Sequence, residues 1–115
     1  MPDVAQETRE AFEGISGGHP DFLLQAVELR EAAQDASGLD GRSFGLVKIA
    51  ALIALDAPPA SYAWQVAAAL DGGASPEDIL GVLRAVAPQV GGPKVVAAAP
   101  EIMLALGLAL PDGLE

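Results

Sequence analysis

Two aromatic and two hydrogen-bonding side chains fall within two turns of one predicted helix. They are Ser61, Tyr62, Trp64 and Gln65. Aromatic rings supply apolar contact area in ligand pockets, whereas hydroxyl and amide groups orient the bound molecule by hydrogen bonds. The group therefore has two interpretations: a small-molecule pocket, or aromatic side chains that pack in the core or in a subunit interface.

Lys48 is the only charged residue between Phe44 and Leu55, in a segment that is apolar nearly all the way round a helix. A lysine in such a place can pair with a substrate carboxylate, or can have a lowered pKa. It can also extend to the surface or pair with an acid such as Asp56 or Glu101. We therefore count Lys48 with Ser61, Tyr62, Trp64 and Gln65 as candidate ligand-binding residues.

The composition excludes several kinds of chemistry. The 115 residues include no cysteine, which rules out disulfides, thiolate nucleophiles and cysteine-type metal sites. The single histidine, His19, precedes Pro20 at a predicted helix start, where a turn or cap role is expected. No group of histidines and acids has the spacing of metal ligands, so we expect no metal and no cofactor.

The chain is strongly acidic, with 16 Asp and Glu against 6 Lys and Arg and a net charge of −10. This charge repels phosphate backbones and anionic membranes, so neither nucleic acid nor membrane is an expected partner. The longest nearly apolar stretch, 46–55, is about half as long as the roughly 20 residues that a membrane span needs. The acidic N-terminal segment does not resemble a signal peptide. We expect a soluble, cytoplasmic protein.

Apolar residues recur with helical spacing along the chain, and no alternation of period two is present. The clearest start signal is Ser75-Pro76-Glu77-Asp78, with a serine N-cap, a proline at the first helical position and two acids beside the positive helix end. Pro100 should kink or split the last helix. The pattern predicts an all-α fold of six or seven helices, with segments at about 3–13, 20–37, 42–56, 59–70, 76–90 and 94–108.

We expect one domain over residues 1–115, with acidic N-terminal helices within 3–37. Two of the predicted helices are apolar on every side, which is more apolar surface than so small a domain can cover alone. Closed homo-oligomers bury such faces. The expected partner is therefore another copy of the chain.

Three segments match a known pattern in order: Leu39-Asp40-Gly41-Arg42-Ser43, the helical stretch 46–55, and the run from Ala69 to Ile79. Over about residues 39–91 the chain resembles the carboxymuconolactone decarboxylase and alkylhydroperoxidase-like family. The resemblance implies a helical fold whose hairpins pack into dimers, trimers or hexamers.

The same resemblance shows which family residues are missing. Peroxidase-like members carry Cys-x-x-Cys-x-x-x-His between two helices, and these positions correspond here to Pro58, Ser61 and Gln65. Their upstream glutamate corresponds to Gly45 or Leu46. The cysteine-free decarboxylase branch has an acidic, histidine-rich stretch in this region, which this sequence also lacks. The chain therefore departs from both chemistries of the family.

Two functions remain as hypotheses. The first is a degenerate, non-redox oligomer that binds a small organic acid. The second is a cysteine-independent, decarboxylase-type enzyme acting on a small carboxylate or lactone, with Lys48 or Arg42 holding the acid and Tyr62 or Gln65 assisting.

Overall fold

A computed structural model describes residues 2–113, which contain α-helices and no strand. This confirms the all-α prediction. The described residues form six helices: α1 Gln6–Ser16, α2 Pro20–Ser37, α3 Gly41–Leu55, α4 Pro59–Asp71, α5 Pro76–Val90 and α6 Gly92–Ala105. The chain divides into two compact units, Met1–Gly38 and Leu39–Glu115. The expectation of a single domain stays a prediction.

The first unit contains α1 and α2, neither of which has a buried residue. Helix α1 begins at Gln6, later than predicted, and Ala5 precedes it without a side-chain cap. The His19 imidazole accepts a hydrogen bond from the Asp21 backbone N–H, at 3.2 Å, and so caps α2. The predicted cap role of His19 is confirmed.

The second unit contains α3 to α6. Helix α3 packs against α4, α5 and α6, and α6 also packs against α4 and α5. The core lies among these helices and is built mainly from Ile, Val and Ala side chains; its members are Ile49, Ile53, Tyr62, Val66, Ala69, Ala74, Ile79, Leu83, Ala98 and Ile102.

Helices α3 and α4 approach each other through glycine and alanine. A Cβ placed on Gly45 would lie 2.7 Å from the Cα and Cβ of Ala69. A Cβ placed on Gly72 would lie 2.6 Å from the carbonyl oxygen of Gly41. Both distances are shorter than real Cβ contacts, so no larger residue fits without moving a backbone. We call this line of contacts the α3–α4 seam.

The start of α3 is tied to the start of α5 by an ion pair. The Arg42 guanidinium donates two hydrogen bonds to the Asp78 carboxylate, at 2.9 and 2.6 Å. The Asp78 carboxylate also accepts a hydrogen bond from the Ser75 backbone N–H, and the Ser75 hydroxyl accepts one from the Asp78 backbone N–H. These reciprocal bonds form the capping box of α5, which confirms the predicted Ser75 N-cap. One carboxylate thus serves both the helix cap and the link between helices.

Pro100 does not divide the last helix. Helix α6 is continuous from Gly92 to Ala105 and contains Pro100. The predicted split is therefore wrong, and α6 ends before the expected position near Leu108. Tertiary packing outweighs the lost backbone hydrogen bond here, because Ala98 and Ile102, on either side of the proline, are both buried in the core.

Gly45→Ala tests the α3–α4 seam. We expect the substitution to lower the free energy of unfolding by about 1–3 kcal/mol, because the new methyl group overlaps Ala69. The matched control is Gly81→Ala in α5, where an added Cβ meets nothing within 4 Å. The control should leave stability unchanged or raise it by roughly 0.5–1 kcal/mol. Urea unfolding of the three proteins measures the difference, and equal midpoints for Gly45→Ala and the parent would contradict the close approach.

The Arg42–Asp78 pair predicts a dependence of stability on pH. The Arg42 guanidinium holds the pKa of Asp78 well below its ordinary value of 3.8, and the Ser75 N–H contributes in the same direction. A carboxylate whose pKa is lower in the native state than in the unfolded state stabilises the protein at pH values above its unfolded-state pKa. This stabilisation is lost as the pH falls toward the pKa of the native state. Asp78→Asn should therefore be less stable than the parent at neutral pH, and the difference should narrow below about pH 4.

Glu77→Gln is the matched control, because it removes the adjacent carboxylate, for which no ion pair is seen within residues 2–113. Urea unfolding at a series of pH values gives the comparison. A stability difference between parent and Asp78→Asn that stays constant down to about pH 2 would refute the role of the pair.

Candidate functional site

The turn between α3 and α4 borders a cavity of about 190 Å³, whose opposite wall is the first part of α6. We call it the Tyr62 cavity. Its polar groups come from Asp56, Tyr62, Lys94 and Glu101, and its apolar wall from Ala57, Pro59, Ala97 and Ala98. The α3–α4 turn and two helices, α4 and α6, therefore contribute to one small, mixed site.

Tyr62 is held at the base of this cavity by the core. It lies on the buried face of α4 with Val66 and Ala69, and only 2% of the residue is exposed. Within residues 2–113 its hydroxyl makes no hydrogen bond, yet no polar side-chain atom in this part of the chain is both fully enclosed and unpaired. The hydroxyl therefore retains contact with solvent, and this contact is through the cavity that Tyr62 lines.

The ionisation of Tyr62 follows from the same surroundings. Burial raises the pKa of the phenol above its ordinary value of 10.0, and the negative charges of Asp56 and Glu101 raise it further. The hydroxyl is consequently protonated at neutral pH. It can donate one hydrogen bond and accept others.

Lys94 connects the start of α6 with the end of α3. Its ammonium group lies 3.1 Å from the Asp56 carboxylate and donates a 2.8 Å hydrogen bond to the Ala54 carbonyl. A lysine commonly satisfies the last carbonyls of a helix in this way. Asp56 itself adopts a left-handed conformation, with φ of 52°, where α3 ends. Lys94 thus has two partners within the chain.

Glu101 differs from the other charged groups of the cavity. It is half-buried on α6, and among the described residues its carboxylate makes neither a hydrogen bond nor an ion pair. Carboxylates that lose part of their hydration are normally paired. Among residues 2–113, Glu101 and Tyr62 are therefore the two side chains of this cavity for which no hydrogen bond or ion pair is seen.

The five predicted site residues do not converge on this cavity. Tyr62 lines it, whereas Lys48, Ser61, Trp64 and Gln65 do not. The Lys48 ammonium lies 5.5 Å from the centre of the Phe44 ring, and the pairing with Asp56 considered from the sequence is made by Lys94 instead. Trp64 is 39% exposed, so it does not pack in the core of the single chain.

One of the remaining candidates, Gln65, lies at the same level of the α3–α4 seam as Lys48. Gln65 and Ser61 are one turn apart on α4, and both are half-buried. The antiparallel contacts Gly41–Gly72 and Gly45–Ala69, extended by one helical turn, place Lys48 at the level of Gln65. This grouping is separate from the Tyr62 cavity.

Sequence reasoning missed Asp56, Lys94 and Glu101 as site residues. Asp56 and Glu101 were considered only as partners of Lys48. Lys94 follows Gly92 and Pro93 in the first turn of α6. A positive charge is unfavourable there because it lies beside the positive end of the helix dipole, and this is the one local signal that Lys94 has another role.

A larger cavity of about 340 Å³ lies between α5 and α6, among Leu80, Leu83, Ile102 and Met103. Its wall is almost entirely apolar, and Glu77 is its only titratable member. The Tyr62 cavity is smaller, but it alone of these two combines a phenol, two carboxylates and an ammonium group.

The sequence profile of the carboxymuconolactone decarboxylase family matches residues 20–102, from the start of α2 to the second half of α6. The chain belongs to the carboxymuconolactone decarboxylase family. No curated protein and no solved structure matches it. The match includes the whole segment 39–91 on which the resemblance rested.

Within the carboxymuconolactone decarboxylase family, the resemblance places the thiol motif of peroxidase-like members at Pro58 and Ser61. Pro58 is the N-cap of α4, and its carbonyl accepts a hydrogen bond from the Ser61 N–H at 3.0 Å. Both positions flank residues that line the Tyr62 cavity. The resemblance thus aligns that motif with positions next to residues of the Tyr62 cavity, and this chain has no sulfur at those positions.

Within residues 2–113, no helix has the length and apolar character that crossing a bilayer requires. Residues 2–113 also contain no group of three or more His, Cys, Asp or Glu side chains that could hold a metal ion.

Proposed function

We propose that this member of the carboxymuconolactone decarboxylase family is a non-redox, ligand-binding homo-oligomer whose small-molecule site is the Tyr62 cavity. The observation that carries the proposal is the Tyr62 hydroxyl, which belongs to a residue 98% buried, opens into the cavity and has no partner among residues 2–113. A polar group in such a place is satisfied by solvent or by a ligand.

The non-redox part of the proposal rests on composition. Reduction of a peroxide by this family's motif needs a thiolate, and the chain has no cysteine. Ser61 occupies a thiol position, but the single histidine belongs to the other compact unit and already caps α2. A serine without an adjacent base is a poor nucleophile.

The oligomeric part rests on uncovered apolar surface. In the second unit, Leu55 and Val96 are 76% and 72% exposed, and Val47 and Leu104 are more than half exposed. Helices α1 and α2 have no buried residue at all, although they carry Phe12, Phe22 and Leu29. Monomers rarely leave so many large apolar residues uncovered, and a symmetric copy is the usual cover.

The alternative function is a cysteine-independent enzyme of the decarboxylase type that holds a small carboxylate at Lys48. The half-buried position of Lys48, at the same level of the seam as Gln65, favours it. Arg42 is the weaker candidate for this role, because it already donates two hydrogen bonds to Asp78. Lys48 is therefore the cation that an organic acid would meet on this side of α4.

One purified sample tests the main proposal by two measurements. We expect no consumption of an organic peroxide with a dithiol donor above a heat-inactivated sample, because no thiolate is present. Static light scattering at micromolar concentration should give a mass that is a multiple of the chain's 11.6 kDa. Peroxide consumption would refute the non-redox assignment, and a mass of one chain would refute the oligomer.

Lys48→Ala tests the alternative. If Lys48 holds a carboxylate, then butyrate or succinate should raise the melting temperature of the parent, and the substitution should abolish this shift. A ligand at 100 times its Kd adds about 2.7 kcal/mol to the free energy of unfolding. The matched control is Arg84→Ala, which removes an exposed positive charge from α5. A shift that persists in Lys48→Ala would exclude the residue as the acid-binding group.

A further inference from the structure

We propose that the Tyr62 cavity binds a small organic cation, a primary ammonium group on a short alkyl chain. The Glu101 carboxylate and the Tyr62 hydroxyl are the hydrogen-bond acceptors for the ammonium group. The inference rests on the proposed function, since it takes this cavity to be the ligand site. It differs from the organic acid that the sequence suggested.

The charges of the cavity wall point to a cation. Two carboxylates, Asp56 and Glu101, face one ammonium group, that of Lys94. Lys94 already contacts the Asp56 carboxylate and the Ala54 carbonyl. The wall is therefore left with one uncompensated negative charge, which lies on half-buried Glu101. A bound carboxylate would face this charge and would have to displace Asp56 from Lys94, whereas a bound ammonium group neutralises Glu101.

The hydrogen-bonding groups agree with the charges. An ammonium group carries three donors and no acceptor, so it needs oxygen atoms around it. The cavity offers the Glu101 carboxylate and the lone pairs of the Tyr62 hydroxyl, neither of which has a hydrogen-bond partner in the described part of the chain. Hydrogen bonds from an ionised donor to such groups are among the stronger ones that proteins make.

The size and the remaining wall define the rest of the ligand. The cavity volume of about 190 Å³ is the volume that roughly six water molecules occupy in liquid water, at about 30 Å³ each. The apolar lining residues are Ala57, Pro59, Ala97 and Ala98, which offer methyl groups and a proline ring. This surface suits a chain of a few carbon atoms. Propylammonium has the required charge, donors and length.

The binding test compares three probes of the same length, propylammonium chloride, 1-propanol and sodium propanoate, at constant ionic strength. Binding is followed by NMR chemical-shift changes of the backbone amides around residues 56–62 and 94–101. We expect propylammonium to bind at millimolar concentration, and 1-propanol to bind at least ten-fold more weakly because it cannot neutralise Glu101. Propanoate should not shift the amides at this site.

Variants identify the groups responsible. Glu101→Gln keeps the size of the side chain and removes its charge, and should weaken propylammonium binding at least ten-fold. Tyr62→Phe removes only the hydroxyl and should weaken binding several-fold. Glu77→Gln is the control, because it removes an exposed carboxylate outside the Tyr62 cavity and should leave the affinity unchanged. Circular dichroism melting of each variant confirms folding, and either cavity variant is sufficient if the other fails to fold.

Three outcomes overturn the proposal: no propylammonium binding at tens of millimolar, an affinity that Glu101→Gln leaves unchanged, or propanoate binding as tightly as propylammonium. If propanoate binds and Tyr62→Phe weakens its binding, the Tyr62 cavity is still the ligand site, but the proposal that it binds a cation is wrong. The peroxide assay and light scattering test the non-redox and oligomeric parts of the proposed function separately. Absence of propylammonium binding would therefore not refute those two parts.

Discussion

The close approach of α3 and α4 along the α3–α4 seam is the constraint on which the rest of the second unit depends. Gly45 against Ala69, and Gly41 against Gly72, allow the two backbones to come nearer than side chains would permit. This distance determines where the α3–α4 turn lies, and hence where Asp56 and Tyr62 stand relative to α6. Small residues here are a structural requirement, because even one methyl group would displace a backbone.

Ion pairs at the two ends of α3 then join the remaining helices to this pair. At the N-terminus Arg42 holds Asp78 and so joins α5, and at the C-terminus Lys94 holds Asp56 and so joins α6. Both pairs are partly exposed, so they contribute little to the free energy of unfolding. Their main effect is to orient the helices that they join. The second pair also has a chemical consequence: it occupies Lys94 and Asp56 and leaves Glu101 and Tyr62 as the cavity groups with no protein partner in the described residues.

Membership in the carboxymuconolactone decarboxylase family therefore does not determine which side chains line the Tyr62 cavity. The family match covers residues 20–102 and agrees with the helical fold. The resemblance aligns the thiol motif of peroxidase-like members with Pro58, Ser61 and Gln65, so no thiol stands at these positions. The groups that we propose for ligand binding come from other positions. A fold can keep the place of a site while its chemistry changes, because the cavity is formed by helix packing and its function by a few side chains.

The sequence by itself determined the helical fold, the Ser75 N-cap of α5, the cap role of His19, the absence of cysteine and the family. These properties depend on near neighbours or on composition, so residue order is enough to predict them. Only the tertiary structure decided that Tyr62 faces Asp56, Lys94 and Glu101, that Lys48 lies over Phe44, and that Pro100 leaves α6 undivided. Each of these depends on helices that meet across long separations in the chain, where the packing distance between backbones, rather than local spacing, decides which side chains come together.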